Sequence, residues 1–261
     1  MSEPKRKRVM LVWPVFAHVL PMAFQNFLRL VIVAARKCPD FDFDPWVLER
    51  MSVHGAMNQA VQVALEQGHD YLIAFDDDCL PELADFPMGD NKRWQVIPRL
   101  LGLGEKGHKI IMGTGYMRGY PHTTTIGRKY PWGTSLVLPE EGEPQFKGFY
   151  WLEDIDGHKD ELDADGLLRA DFCGVPIVCI HRSVLEKVEK PLFETLNKED
   201  GSQSTHDVYF CNKATAAGFE IKVDTHIDCG HIIAPPIINK TTKRDMQVAL
   251  GTVPKKELTL A

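Results

Sequence analysis

The order of segments between residues 8 and 75 constrains this chain more than any other feature. "RVMLVWP" (8–14) reads as a short buried strand ended by Pro14. Residues 21–37 are long enough for a helix, with Pro21 suited to its first turn. "DFDFDPWVLE" (40–49) alternates apolar and polar residues and then continues as a second strand. In "SVHGAMNQAVQVALEQG", Ala56, Met57, Ala60, Val61, Ala64 and Leu65 keep helical spacing, and Gly68 sits where a C-terminal cap belongs. "YLIAF" (71–75) is a third strand. Strand, helix, strand, helix, strand implies right-handed crossovers and a parallel sheet.

Beyond that unit the pattern predicts further strands at 109–117, 176–181 and 219–224. "RSVLEKVEKP" reads as a short helix with Ser183 and Glu186 at capping-box spacing. "STHDVYFCNKATAAG" reads as another, stopped by Gly218. Residues 119–168 have weak periodicity and predict loops with a small antiparallel piece. The expectation is one α/β domain over residues 8–233, a mostly parallel central sheet flanked by helices. Residues 1–7 would be a flexible basic tail, and 234–261 a C-terminal lid or loose end.

Bulk properties narrow the function classes. The net charge of −6 over 261 residues gives no global pull toward nucleic acid or anionic membrane. Local basic clusters at 5–8, 91–93, 127–129 and 239–244 are the exceptions. No apolar run reaches the roughly 18–20 residues needed to span a bilayer, and Pro14 and His18 interrupt what would be a signal sequence. Six scattered cysteines without a C-x-x-C pair favour reduced, mostly buried thiols. The expected location is the cytoplasm.

Chemistry is expected at the carboxyl ends of the strands, where open parallel sheets bind ligands. There, "DYLIAFDDDCLP" delivers Asp76, Asp77 and Asp78 to one point. Residues two apart face the same way, so Asp76 and Asp78 converge and suit a hard divalent ion. An acidic loop or a helix N-terminus is the plainer explanation. His231 follows the strand at 219–224, and with Cys229 it also invites a weak zinc reading. Asp207 stands at capping-box spacing from Ser204, which alone would account for it.

Strand–"DDD", then "DFCGVPIVCIHRSVLEKV", then "HDVYFCNKATAAGFEIKVDTHIDCGH", in that order, resembles nucleotide-sugar-dependent glycosyltransferases of the GT-A fold and is similar to family 2. The likeness spans most of residues 8–233. It implies a GT-A-like (Rossmann-like) fold and a role for each matching position. Asp76 would contact the nucleotide ribose or the metal. Asp78 would bind the ion and His231 would complete its coordination. Asp207 would deprotonate the acceptor hydroxyl, as in inverting members. Pro14 would begin the loop that holds the nucleoside, Asn58 would lie near the donor, and Gly174 would line the sugar pocket. Two positions depart from the family pattern: His206 replaces the acid usual before Asp207, and Met57 the arginine often found before Asn58.

The implied activity is metal-dependent transfer, with Mn²⁺ or Mg²⁺, of a sugar from a UDP- or GDP-type nucleoside diphosphate sugar to an acceptor hydroxyl. The acceptor could be a saccharide, a lipid-linked glycan, a protein or a modified DNA base. The aromatic, Gly-rich region 116–151 would exclude water, and its rings could stack on sugars or bases. Two other readings remain open. One is a metal-dependent phosphodiesterase or nuclease using the same carboxylates, with Glu49 and Asp171 as convenient extras; the other is a non-catalytic sugar- or nucleotide-binding module.

Overall fold

The computed structural model describes residues 5–15, 20–87, 90–117, 123–129, 135–137, 145–147, 149–197, 203–232 and 237–238. In chain order its elements begin with β1 (Lys7–Val15), α1 (Pro21–Lys37), β2 (Phe41–Glu49), α2 (Val53–Gln67), β3 (Tyr71–Phe75), β4 (Cys79–Leu83), α3 (Val96–Glu105) and β5 (Ile110–Thr114). Then come the short strands β6 (Ile126–Lys129), β7 (Ser135–Val137), β8 (Gln145–Lys147) and β9 (Phe149–Trp151). The chain continues through β10 (Leu167–Ala170), β11 (Phe172–Cys173), β12 (Ile177–His181), α4 (Arg182–Lys187), β13 (Leu196–Asn197), β14 (Gln203–Ser204), α5 (His206–Ala216), β15 (Ile221–Ile232) and β16 (Ile237–Ile238).

The central sheet runs β10-β15-β5-β12-β3-β1-β2. β2, β1 and β3 are mutually parallel, as the strand–helix alternation requires, and β15 is parallel to β5. β12 is inserted antiparallel between β3 and β5. A small antiparallel sheet, β11-β6-β9, is built from the weakly periodic region. The result is a mixed α/β fold with a mainly parallel central sheet.

The sheet is buried on both faces, and the strands divide their side chains between two cores with period two. From β3, Leu72 and Ala74 enter the core covered by α2, α4 and α5. Tyr71, Ile73 and Phe75 enter the core covered by α1 and α3. Asp76, next in the chain, therefore continues the row of Leu72 and Ala74, toward the α5 side. Five of the six cysteines are buried and all are free thiols, in line with the expectation of reduced interior cysteines. Among the described residues no helix is long and apolar enough to cross a membrane.

Several expectations are corrected. Pro14 does not end β1, which continues through Val15. β1 pairs with β3 only up to Val12 but with β2 along its whole length, so one flank tolerates a proline. The basic segment at 5–8 is only partly a tail. Lys7 and Arg8 open β1; Arg6 pairs with Asp42 at 3.2 Å, Arg8 with Asp44 at 3.8 Å, and Lys7 with Glu105. At the start of α4, His181 rather than Ser183 is the cap, its ring accepting from the Ser183 backbone N–H. Glu186 pairs instead with Arg182. β15 is twice the expected length, because a bulge between Asp224 and Asp228 lets it continue through His231. "YPWGT" (130–134) and the basic cluster at 239–244 lie outside the described residues, as does much of 116–151.

Candidate active site

The carboxyl end of β3 is where the site forms. The backbone N–H of Asp76 donates to the Pro176 carbonyl at 3.0 Å, tying the strand tip to the turn before β12. The chain then reverses into β4, which pairs antiparallel with β15. That register sets Cys79 directly opposite His231, and the Ile232 N–H donates to the Asp78 carbonyl at 2.7 Å. Residues some 150 positions apart in sequence are thus neighbours on one ladder.

Side-chain geometry follows from that register. His231 Nε2 lies 3.2 Å from Asp78 Oδ1, and both side chains are about five-sixths buried. The other ring nitrogen, Nδ1, lies 3.0 Å from the Tyr116 carbonyl. A carbonyl only accepts, so Nδ1 donates to it; the Asp78 carboxylate likewise only accepts, so Nε2 donates to Asp78 or, with a cation between the two, turns its lone pair to that cation. The backbone carbonyl orients the ring from behind, the arrangement common for metal-binding histidines, and leaves Nε2 as the atom that faces Asp78. Cys79 Sγ lies 3.7 Å from Asp78 Oδ1. Asp78, Cys79 and His231 each offer a ligand atom, all within 4.8 Å of one another. Asp78 and His231 were foreseen as ligands; Asp76 stands outside this trio, and Cys79 joins it unforeseen.

Asp76 faces the second half of the site. Burial, then the nearby Asp207 charge, push its carboxyl pKa up to about 7, against opposing help from His206 and His231. A buried carboxylate made costlier to ionise by a second one nearby marks a place suited to positive charge. His206 supplies some: its Nε2 lies 2.9 Å from Asp207 Oδ1. Burial lowers the His206 pKa, but the Asp207 hydrogen bond and the Asp207 and Asp76 charges outweigh it, leaving the pKa above the ordinary value.

Asp207 is not a helix cap. The N-cap of α5 is Thr205, with no side-chain cap hydrogen bond. Asp207 Oδ1 is buried and accepts no hydrogen bond of good geometry from any described group. The capping-box reading therefore fails, whereas Asp207 does stand in the first turn of α5, where the helix dipole favours an acid.

The remaining expected residues lie around this centre. Pro14 is buried near the end of β1. Gly174 sits between β11 and β12, its N–H donating to the Thr125 carbonyl at 2.9 Å. A Cβ there would lie 2.8 Å from Thr125 Cβ, so only glycine allows this approach. Asn58 is committed to backbone. It donates to the Phe193 carbonyl at 2.7 Å and accepts from the Leu192 and Phe193 N–H groups at 3.1 Å each. Phe193 stacks on Phe210 of α5 at 4.7 Å and tilts against His206 at 6.5 Å. Asn58 thus braces the start of α5 from behind.

No protein-family model matches the chain, and no curated protein does. Solved structures similar to it include A197 from STIV, at 17% identity and TM-score 0.49, with 87% of this chain and 86% of that chain covered. UDP-glucose pyrophosphorylase complexed with UDP-glucose is similar at 11% identity and TM-score 0.43, covering 95% and 99%. A glycosyltransferase involved in glycosylation of the major capsid of PBCV-1 is similar at 10% identity and TM-score 0.31, covering 68% and 62%.

Proposed function

We propose that the chain is a cation-dependent glycosyltransferase that moves a sugar from a UDP- or GDP-type nucleoside diphosphate sugar to an acceptor hydroxyl with inversion. The observation that carries this reading is the convergence of Asp78 and His231 beside an uncapped Asp207 at the carboxyl end of β3.

The residues present fit a divalent ion: Asp78 offers a carboxylate oxygen and His231 a ring nitrogen that its Nδ1 contact aims at the same point. A bound ion would supply Lewis-acid stabilisation of charge on the departing diphosphate. Asp76 lies on the same cleft wall, where its carboxyl can hold a ribose hydroxyl. Asp207 takes the acceptor proton as the hydroxyl attacks, its largely buried carboxylate held in place beside His206. His206 holds positive charge against Asp207 and Asp76. Pro14 and Gly174 border the cleft and give it shape.

A phosphodiesterase would draw further carboxylates to the ion. Of the two convenient extras, Glu49 ends β2, two strands from β3 and roughly 10 Å across the sheet by strand spacing. Asp171 lies between β10 and β11, its N–H donating to the Gly127 carbonyl at 3.0 Å. Among the described residues, neither joins the cluster formed by Asp78, Cys79 and His231.

The test is incubation with a panel of UDP- and GDP-sugars and Mn²⁺, following release of nucleoside diphosphate. Slow release, abolished in Asp78→Asn, supports the proposal. Cleavage of an oligonucleotide without such release would establish a nuclease instead, and neither reaction would leave a binding module.

A further inference from the structure

We infer that Cys79 is a third protein ligand of the cation, making this an Asp–Cys–His site for a borderline-soft ion such as Zn²⁺ or Co²⁺. The inference rests on the cation-dependent reading above and deepens it.

The ladder between β4 and β15 places Cys79 and His231 directly across from each other, and cross-strand partners share a face. Asp78 precedes Cys79, and the three ligand atoms lie within 4.8 Å of one another. Their separations carry the argument further. With metal–ligand distances of about 2.0–2.3 Å, a tetrahedral site has oxygen–nitrogen and oxygen–sulfur edges of about 3.4 and 3.6 Å. Right-angled octahedral positions would shorten those edges to about 2.9 and 3.1 Å. The corresponding separations here are 3.2 Å from Asp78 Oδ1 to His231 Nε2 and 3.7 Å from Asp78 Oδ1 to Cys79 Sγ. Both fall in the range that one small ion can bridge, and the remaining sulfur–nitrogen edge lies within 4.8 Å. Three protein ligands also leave a fourth position open, the pattern of catalytic rather than structural zinc.

The donor set then predicts selectivity. Thiolate sulfur favours zinc and similar ions and disfavours Mg²⁺, whose preference is for six oxygens. Ligation requires the thiolate, so the sulfur–metal bond forms as the Cys79 proton leaves to solvent, one proton per ion bound.

The experiment is titration of the purified full chain, stripped with chelator under reducing conditions, with Co²⁺ alone. One ion per chain with an intense visible spectrum and a near-ultraviolet sulfur-to-cobalt charge-transfer band is the expected result. Cys79→Ser should lose that band and bind cobalt roughly 10- to 100-fold more weakly or worse. Cys38→Ser, a thiol remote from the site, should keep both. If Cys79→Ser does not fold, zinc-edge X-ray absorption of the unaltered protein decides. A sulfur scatterer at about 2.3 Å supports the assignment, and a shell of nitrogen and oxygen alone overturns it. Cobalt bound with a pale octahedral spectrum and no sulfur band overturns the Cys79 role while leaving cation-dependent transfer standing. No cobalt binding at all overturns the Cys79 role, and cation-dependent transfer is then judged separately by nucleoside diphosphate release with Mn²⁺.

Discussion

At the residue scale, Asp207 shows how a side chain's role is decided by what it does not do. Sequence spacing offered a capping box from Ser204 to Asp207, but the helix begins at His206 and is capped by Thr205 without a side-chain bond. A working cap would make substitution cost ~1 kcal/mol. Asp207→Asn should instead change the melting temperature little, because the repulsion with Asp76 that it removes offsets the lost pairing with His206. Its turnover should fall by ~10²–10⁴-fold as a general base is lost, with donor binding retained. Initial rates and thermal melts on one preparation check both halves. Asn58 is the converse case. Its place in the sequence suggested the donor, whereas its amide makes three hydrogen bonds to the backbone of Leu192 and Phe193. Asn58→Ala should destabilise by about 1–3 kcal/mol in chemical denaturation through the unsatisfied backbone groups. Neither outcome was legible locally, because a polar side chain's partners come from the tertiary fold.

At the element scale, β15 organises the molecule. Its bulge turns Asp224 inward, where Arg99 of α3 grips it with two nitrogens at 2.5 and 3.0 Å and His226 approaches at 3.2 Å. Burial raises the Asp224 pKa, but His226 and Arg99 together bring it below the ordinary carboxylate value. The sign follows. A lowered folded-state pKa contributes stability present above the unfolded pKa and lost as pH falls through the folded one. Asp224→Ala strands Arg99 beside a buried cavity and should cost about 3–5 kcal/mol near neutral pH. That cost should shrink in acid, as denaturation at several pH values would show. The strand was half legible: "FEIKVD" announced itself by alternation, whereas the bulge broke the period before "IDCGHI" resumed it. Likewise β4 was missed because Pro81 reads as a turn, although Cys79, Pro81 and Leu83 keep the buried alternate positions. α3 was missed as well; Gly102 and Gly104 dilute its helical signal, and packing of Ile97, Leu100 and Leu101 against the sheet overrides that weak propensity.

At the scale of the whole molecule, the order of strands and helices was readable because alternation of period is a property of the chain itself. The antiparallel insertion of β12 between β3 and β5 was not, since strand direction within a sheet depends on contacts distant in sequence. The same insertion brings the Pro176 carbonyl to Asp76 and so completes the cleft. If that cleft receives a nucleoside diphosphate with its ion, both together should raise the melting temperature far more than either alone. Saturation at ~100 times the dissociation constant corresponds to ~2.7 kcal/mol, and a chelator should abolish the shift. One feature of the edge carries a further consequence. The His231 backbone is paired with Cys79 of β4 on one side and with Ile238 of β16 on the other. A residue stapled from two directions has little conformational freedom to surrender when an ion arrives. Amide hydrogen exchange at His231 should be slow in the stripped protein and barely change on loading, the signature of a receptacle finished before its guest.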